Sequence, residues 1–276
     1  MSESITAHAI WGNLKMLLSP SWYRKQFSGW MPASWVLYVI GFILITVTTF
    51  FYQAATNKFG VFNPGQIGWI TYFGAIIGLL TTFAITNAKP VNGLLGLISA
   101  VLLIIASFEA KNPGESALQF VYIILLDLPV LILPGWANDV EKKVRRIAET
   151  SKRGEKHAPS FWYTVFAITF LASWAILYVV ESNQWIPSGR PALDSFSAAV
   201  GITASLMATL RFSDQYYLWT TTGVLQLLLW AVTFFQGGSS PVLALTYLLY
   251  LSNDVLGFVQ SSWFHHEDVN KELASK

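Results

Sequence analysis

The chain has 276 residues, of which 54% are hydrophobic and only 12% charged. Soluble domains carry about 25% charged residues, so this chain, with a mean hydropathy of +0.49, has too little polar surface to coat a globule in water. That composition excludes a soluble globule and a disordered chain. The absence of cysteine excludes a disulfide framework, a thiolate nucleophile and a cysteine-bound metal.

From the N-terminus, Ile10, Trp11, Leu14, Leu17 and Leu18 recur at helical spacing, with Asn13 and Lys15 between them. This pattern predicts a short helix lying in the membrane interface and ended by Ser19-Pro20. Trp22, Tyr23 and Trp30 are expected at headgroup depth. The segment has no early basic run and no continuous apolar core, so it does not read as a secretory signal peptide.

Eight stretches are then long and apolar enough to cross a hydrocarbon core of about 30 Å. They run Ser34–Tyr52, Gln66–Thr86, Val91–Phe108, Ser116–Leu133, Phe161–Val180, Ala192–Leu210, Tyr216–Phe235 and Pro241–Val259. Pro and Gly punctuate the breaks, at Asn63-Pro64-Gly65, Lys89-Pro90, Asn112-Pro113-Gly114, Pro187-Ser188-Gly189 and Gly237-Gly238. The third stretch is short and rich in Gly, and its helix is the least clearly marked.

With the N-terminus inside, 14 of the 17 Lys and Arg residues fall on the cytoplasmic side and 3, Lys58, Lys111 and Arg190, outside. This asymmetry predicts cytoplasmic termini and an even number of spans. The loop Asp139–His157 holds Lys142, Lys143, Arg145, Arg146, Lys152, Arg153 and Lys156, interleaved with acids. It reads as a solvated topology anchor, with a nucleotide or anionic-lipid patch as the alternative.

Sliding the chain by 127 residues superposes Gly74 on Gly201, Thr82 on Thr209, Gly96 on Gly223, Asp127 on Asp254 and Trp136 on Trp263. A duplication is expected, with spans two to four as one unit, six to eight as the other, and span five as connector. An even spacing between equivalent helices makes the units parallel, with a substrate site between them near the midplane. The predicted layout is an all-α polytopic membrane protein. Its segments are a leader at 1–33, an extra transmembrane helix at 34–53 and a three-helix repeat at 66–138. A basic cytoplasmic loop at 139–160, a connector at 161–180, a second repeat at 192–263 and a cytoplasmic tail at 264–276 follow.

Asp127 and Asp254 are the sharpest functional features, because a carboxylate at membrane depth is costly and normally faces a cavity, a partner or a substrate. No Lys, Arg or His lies mid-span to neutralise them. Protonation, pairing with polar neighbours and a role for a hydroxylated or cationic ligand all stay open, as does simple helix capping. On span seven, Tyr216, Trp219, Gly223, Gln226 and Trp230 share a face, and Gly223 leaves room above Trp219. Gln119, Tyr122 and Asp127 lie broadly along one side of span four, and Asn253 precedes Asp254. Aromatic planes with a few hydrogen-bonding groups suit a flat heterocycle bearing a sugar. Tyr216 and Trp230 also suit an interfacial position. The candidate binding set is Gln119, Tyr122, Asp127, Tyr216, Trp219, Gln226, Asn253 and Asp254.

Catalysis is not expected. His8, His157, His265 and His266 lie in tails or a loop, and there is no Walker A pattern. His265, His266, Glu267 and Asp268 read as a solvated tail, with metal binding as the alternative. No cofactor and no nucleic-acid partner is expected.

The stretch Asp194–Trp230, DSFSAAVGITASLMATLRFSDQYYLWTTTGVLQLLLW, resembles the Pnu family of bacterial vitamin transporters, as do PVNGLLGLISAVLLIIASF at Pro90–Phe108 and the helix Gln119–Trp136. The resemblance covers about residues 66–263. It implies a SWEET-like three-one-three fold and facilitated diffusion of a nucleoside-like vitamin, best known as nicotinamide riboside, across the inner membrane. It further implies trapping by a cytoplasmic nucleoside kinase and a homotrimer. The family's Trp-x-x-Trp-x-x-x-Asn hallmark on span seven reads here as Tyr216, Trp219 and Gly223. Asp127 and Asp254 fall where the family tends to carry Asn. These departures leave another (deoxy)ribonucleoside or thiamin open as cargo.

Overall fold

The structure is a computed structural model that describes residues 7–52, 62–133, 144–151 and 156–261. Two short helices, α1 (Ala7–Met16) and α2 (Pro20–Gln26), precede the first long one. Eight helices among the described residues can cross a membrane: α3 (Pro32–Phe51), α4 (Pro64–Thr86), α5 (Val91–Glu109), α6 (Pro113–Ile132), α7 (Pro159–Ser182), α8 (Pro191–Thr209), α9 (Gln215–Phe235) and α10 (Val242–Gln260). They match the eight stretches read from the sequence. The Gly-rich third, α5, has the highest mean hydropathy of the set at 2.3.

Local chemistry sets the helix ends. Proline opens α3, α4, α6, α7 and α8, where its missing N–H costs nothing. Asn63 and Gln66 form a reciprocal capping box at the start of α4, with both bonds at 2.9 Å. Ala88, Lys111, Gln184, Arg211 and Gly237 take left-handed φ values just past helix ends and stop each helix sharply. Within the spans, hydroxyls such as those of Thr81, Thr82, Thr203 and Ser205 donate to the carbonyl four residues back. They therefore leave few polar groups bare in an apolar layer.

Six spans close a ring in the order α4, α5, α6, α8, α9, α10 and back to α4. The seams α6–α8 and α10–α4 are the two joins between the three-helix units. The remaining spans sit outside it, with α3 against α4 and α10 and α7 against α8. Burial follows this plan: 67% of the apolar window of α8 is buried, against 17% for α3 and 6% for α7. A large apolar cluster containing Ile45, Leu79, Phe83, Leu103, Trp230 and Leu243 holds the α3 side of the ring together.

Folding adds three things to the sequence reading. Trp30 is buried. Its Nε1 donates to the Gln26 carbonyl at 2.7 Å, and its ring stacks on Trp35 at 4.9 Å. Trp230 is a core residue at 1% exposure, because its face of α9 turns toward α4 and α10. The described part of the basic loop, 144–151, is docked rather than solvated. Arg145 N–H donates to the Arg211 carbonyl at 3.1 Å, and its guanidinium lies 4.3 Å above the Phe212 ring. Ile147 N–H donates to Asp214 at 2.9 Å. Backbone groups left unpaired by the Arg211 turn explain the docking. Trp136, Trp263, His265, His266 and the basic residues Lys142, Lys143, Lys152 and Arg153 lie outside the described residues.

Candidate functional site

The ring encloses a cavity of about 150 Å³. One end reaches Leu103, Gln119 and Tyr247, and the other reaches the α4–α5 turn at Ala88, Lys89 and Pro90, together with Asn92 and Gln215. Seven of the eight sequence-predicted residues line it: Gln119, Tyr122, Asp127, Tyr216, Trp219, Asn253 and Asp254.

Gln226 does not. It is fully buried one turn beyond Gly223, where α9 leans on α8, and its Nε2 donates to Ser197 at 3.3 Å. At Gly223 the helices α9 and α10 approach closely, since a Cβ there would meet the Leu251 side chain at 2.7 Å. Gly223 therefore admits α10, and together with Trp219 it lines the cavity.

Tyr122 and Asp127 reach the same wall for a reason invisible in their spacing. In a regular α-helix, residues five apart point about 140° away from each other. One π-helical turn, Ile123–Asp127, interrupts α6 between them. The wider turn brings both side chains to the cavity, and such turns recur at functional sites. Tyr122 and Trp219 then form an aromatic wall, with ring centroids 5.3 Å apart and a 41° tilt. Trp219 Nε1 donates to Gln215 at 3.2 Å.

The remaining polar groups are positioned by bonds to neighbouring helices. Asn253 Nδ2 donates to Thr86 at 2.8 Å across the α10–α4 seam. Tyr216 O–H donates to Ser261 at 3.1 Å, so its polar tip points along the ring wall. Asp127 is 4% exposed, and its Oδ2 has no hydrogen-bond partner among the described residues. Its carboxylate lies against Gly96, where any Cβ would collide with it.

Sequence reasoning missed the acids that lie behind Gln119 and Tyr247, at the end of the cavity away from Lys89. Glu115 accepts from Gln119 Nε2 at 2.7 Å and from the Tyr247 hydroxyl. Asp194 of α8 accepts from the backbone N–H groups of Gly114 and Glu115 at 2.8 and 2.9 Å, capping α6 from a neighbouring helix. Arg190 donates to Asn112 at 2.8 Å, and Asn112 donates to Thr233 at 3.1 Å. Burial pulls the Arg190 guanidinium below its ordinary value, and the charge of Asp194 works against that shift. The start of α6 is thus a hub joining α8, α9 and α10. The available signal was an acid two or three residues after the opening proline, at Pro113 to Glu115 and Pro191 to Asp194. Among the described residues, no group of three His, Asp or Glu side chains could hold a metal ion.

Comparison with known proteins bears on this geometry. The sequence model of the nicotinamide mononucleotide transporter family matches residues 68–265. The chain belongs to the nicotinamide mononucleotide transporter family. As a member of that family it agrees with the resemblance carried by Asp194–Trp230. Among similar proteins, the nicotinamide riboside transporter PnuC of Neisseria mucosa is 29% identical over 251 residues, covering 88% of this chain and 86% of that protein. The protein of the same name from Haemophilus influenzae is 22% identical over 243 residues, covering 88% and 95%. A crystal structure described as the vitamin B3 transporter PnuC shares the fold with a TM-score of 0.66. It is 24% identical and covers 91% of this chain and 99% of its own. The family places the chain among multi-pass membrane transporters rather than enzymes.

Proposed function

We propose that this protein carries a nucleoside-like vitamin, most simply nicotinamide riboside, across the bacterial inner membrane by facilitated diffusion. The observation that carries this reading is the cavity inside the six-helix ring, whose wall pairs the Tyr122–Trp219 aromatic face with amides and carboxylates. A flat base stacks on the aromatic face, and Gln119, Asn253 and the acids meet the sugar and ring substituents. The relatives named as nicotinamide riboside transporters support the cargo. The charge asymmetry of the loops puts both termini in the cytoplasm, and the cavity then extends toward that side at Lys89. No nucleotide-hydrolysis motif is present in the sequence, so net uptake rests on the gradient and on a cytoplasmic kinase that phosphorylates the arriving nucleoside. A homotrimer belongs to the same reading, and mass photometry of the detergent-purified protein tests it.

A second reading keeps the scaffold and changes the cargo to another (deoxy)ribonucleoside or thiamin. Tyr216 and Gly223 favour it, because the hydroxyl of the first is engaged by Ser261 and the second is covered by Leu251. A thermal-shift and binding panel of nicotinamide riboside, thymidine, deoxyadenosine, uridine, thiamin and riboflavin separates the two. Uptake into proteoliposomes, with counterflow in the absence of any ion gradient, tests facilitated diffusion. Accumulation that collapses with an uncoupler would refute it.

A further inference from the structure

α6 and α10 hold equivalent places in the two units, yet the stretch from proline to buried acid is one residue longer in α6. Pro113 precedes Asp127 by fourteen positions, and Pro241 precedes Asp254 by thirteen. Both helices nevertheless offer a matching series to the cavity. Gln119 and Tyr122 line it from α6, Tyr247 and Tyr250 line it from α10, and an acid follows in each. These pairs stand 128 residues apart before the π-helical turn and 127 after it. The turn therefore absorbs the extra residue, with Leu128 N–H reaching back five residues to the Ile123 carbonyl.

α10 is a continuous α-helix and serves as an internal control. Leu249 lies five residues ahead of Asp254, as Tyr122 lies five ahead of Asp127. Asp254 lines the cavity, whereas Leu249 packs away from it against Gly41 of α3. An α6 wound like α10 would turn Tyr122 off the wall in the same way. Pro129 and Thr209 favour the irregular winding. Pro129 cannot donate to the Leu125 carbonyl. The Thr209 hydroxyl of α8 reaches that carbonyl at 2.7 Å, across the seam between the units, as well as its own Ser205 carbonyl at 2.9 Å. Its counterpart Thr82 donates within its own helix, to Gly78 at 2.9 Å. Thr209 itself stands outside the cavity lining. We propose that Thr209 is a positioning residue for cargo binding, whose hydroxyl holds the π-helical turn and so keeps the Tyr122 ring on the cavity wall beside Trp219. The inference rests on the riboside-carrier reading for the cargo, and adds to it a residue that acts through another.

The test uses the full chain purified in detergent, with Kd for nicotinamide riboside and for thymidine measured by isothermal titration. Thr209→Val removes the hydroxyl and keeps the branched shape. It is expected to raise Kd about tenfold, within the range for losing one aromatic plane against a base. Thr209→Ser keeps the hydroxyl and is expected to restore the parent Kd. Tyr122→Leu, which matches Leu249, should raise Kd by a similar factor, and adding Thr209→Val to it should change little further, because the ring is already gone. Thr209→Ala replaces Thr209→Val should gel filtration show the latter unfolded. An unchanged Kd for Thr209→Val overturns the inference, as does an equal loss in Thr209→Ser or a double variant whose losses multiply. If thymidine binds and the riboside does not, the vitamin reading falls, and the inference stands or falls on the same variants with thymidine. If the parent binds neither, both fall.

Discussion

Replacing Trp219 with Ala removes one of the two rings of the Tyr122–Trp219 wall. The indole is half-buried, lies 5.3 Å from Tyr122 and holds one hydrogen bond, to Gln215 at 3.2 Å. Two costs follow, and they read out separately. Loss of the Tyr122 contact destabilises the protein by about 0.5–1.5 kcal/mol, as for other aromatic pairs. Loss of the stacking plane weakens cargo binding by about 1–3 kcal/mol, the range for bases stacked on aromatic side chains. At about 1.4 kcal/mol per decade, the second cost raises Kd roughly 5- to 150-fold. Isothermal titration of nicotinamide riboside measures it, and thermal unfolding in the same detergent measures the first. Trp219→Phe keeps a plane but not the Gln215 bond, so it should recover most of the affinity. An unchanged Kd for Trp219→Ala, with cargo bound by the parent, would refute an aromatic wall as the binding surface.

Three other outcomes are expected. Tyr247→Phe removes a donor from Glu115, whose Oε2 already lacks a partner. It should lower stability by about 1–3 kcal/mol in a denaturation series, and Glu115→Gln should suppress that loss. Gly96→Ala drives a methyl group into the Asp127 carboxylate, whereas Gly223→Ala presses on the flexible Leu251 side chain and meets the Asp254 carboxylate only at an ordinary contact distance of 3.8 Å. Proteoliposome uptake should therefore fall much further for the first than for the second, and equal effects would contradict the packing described. Asn63→Ala breaks the capping box of α4 far from the cavity. It should cost about 1 kcal/mol of stability while leaving Kd unchanged.

The length of the apolar runs, the prolines that open five of them and the loop charges depend on neighbours in the chain, so they were legible without a fold. The eight spans follow from them, and seven of the eight predicted site residues line the cavity, with Tyr216 and Trp219 on one face of α9 through helical periodicity alone. Packing between helices decided the rest. Gln226 shares that face but leaves the cavity because α8 covers it, and Gly223 lets in a side chain 28 residues away. The π-helical turn that aims Asp127 has its signal just beyond IILLD, in Pro129, which cannot donate to the Leu125 carbonyl and leaves it to the Thr209 hydroxyl at 2.7 Å. The hub of Glu115, Asp194 and Asn112 was hidden. Each lies at a helix end and looks solvated in sequence, and only the closing of six helices into a ring buries them against one another. Sequence periodicity fixes which way a side chain leaves its own helix, and tertiary packing alone determines what it meets there.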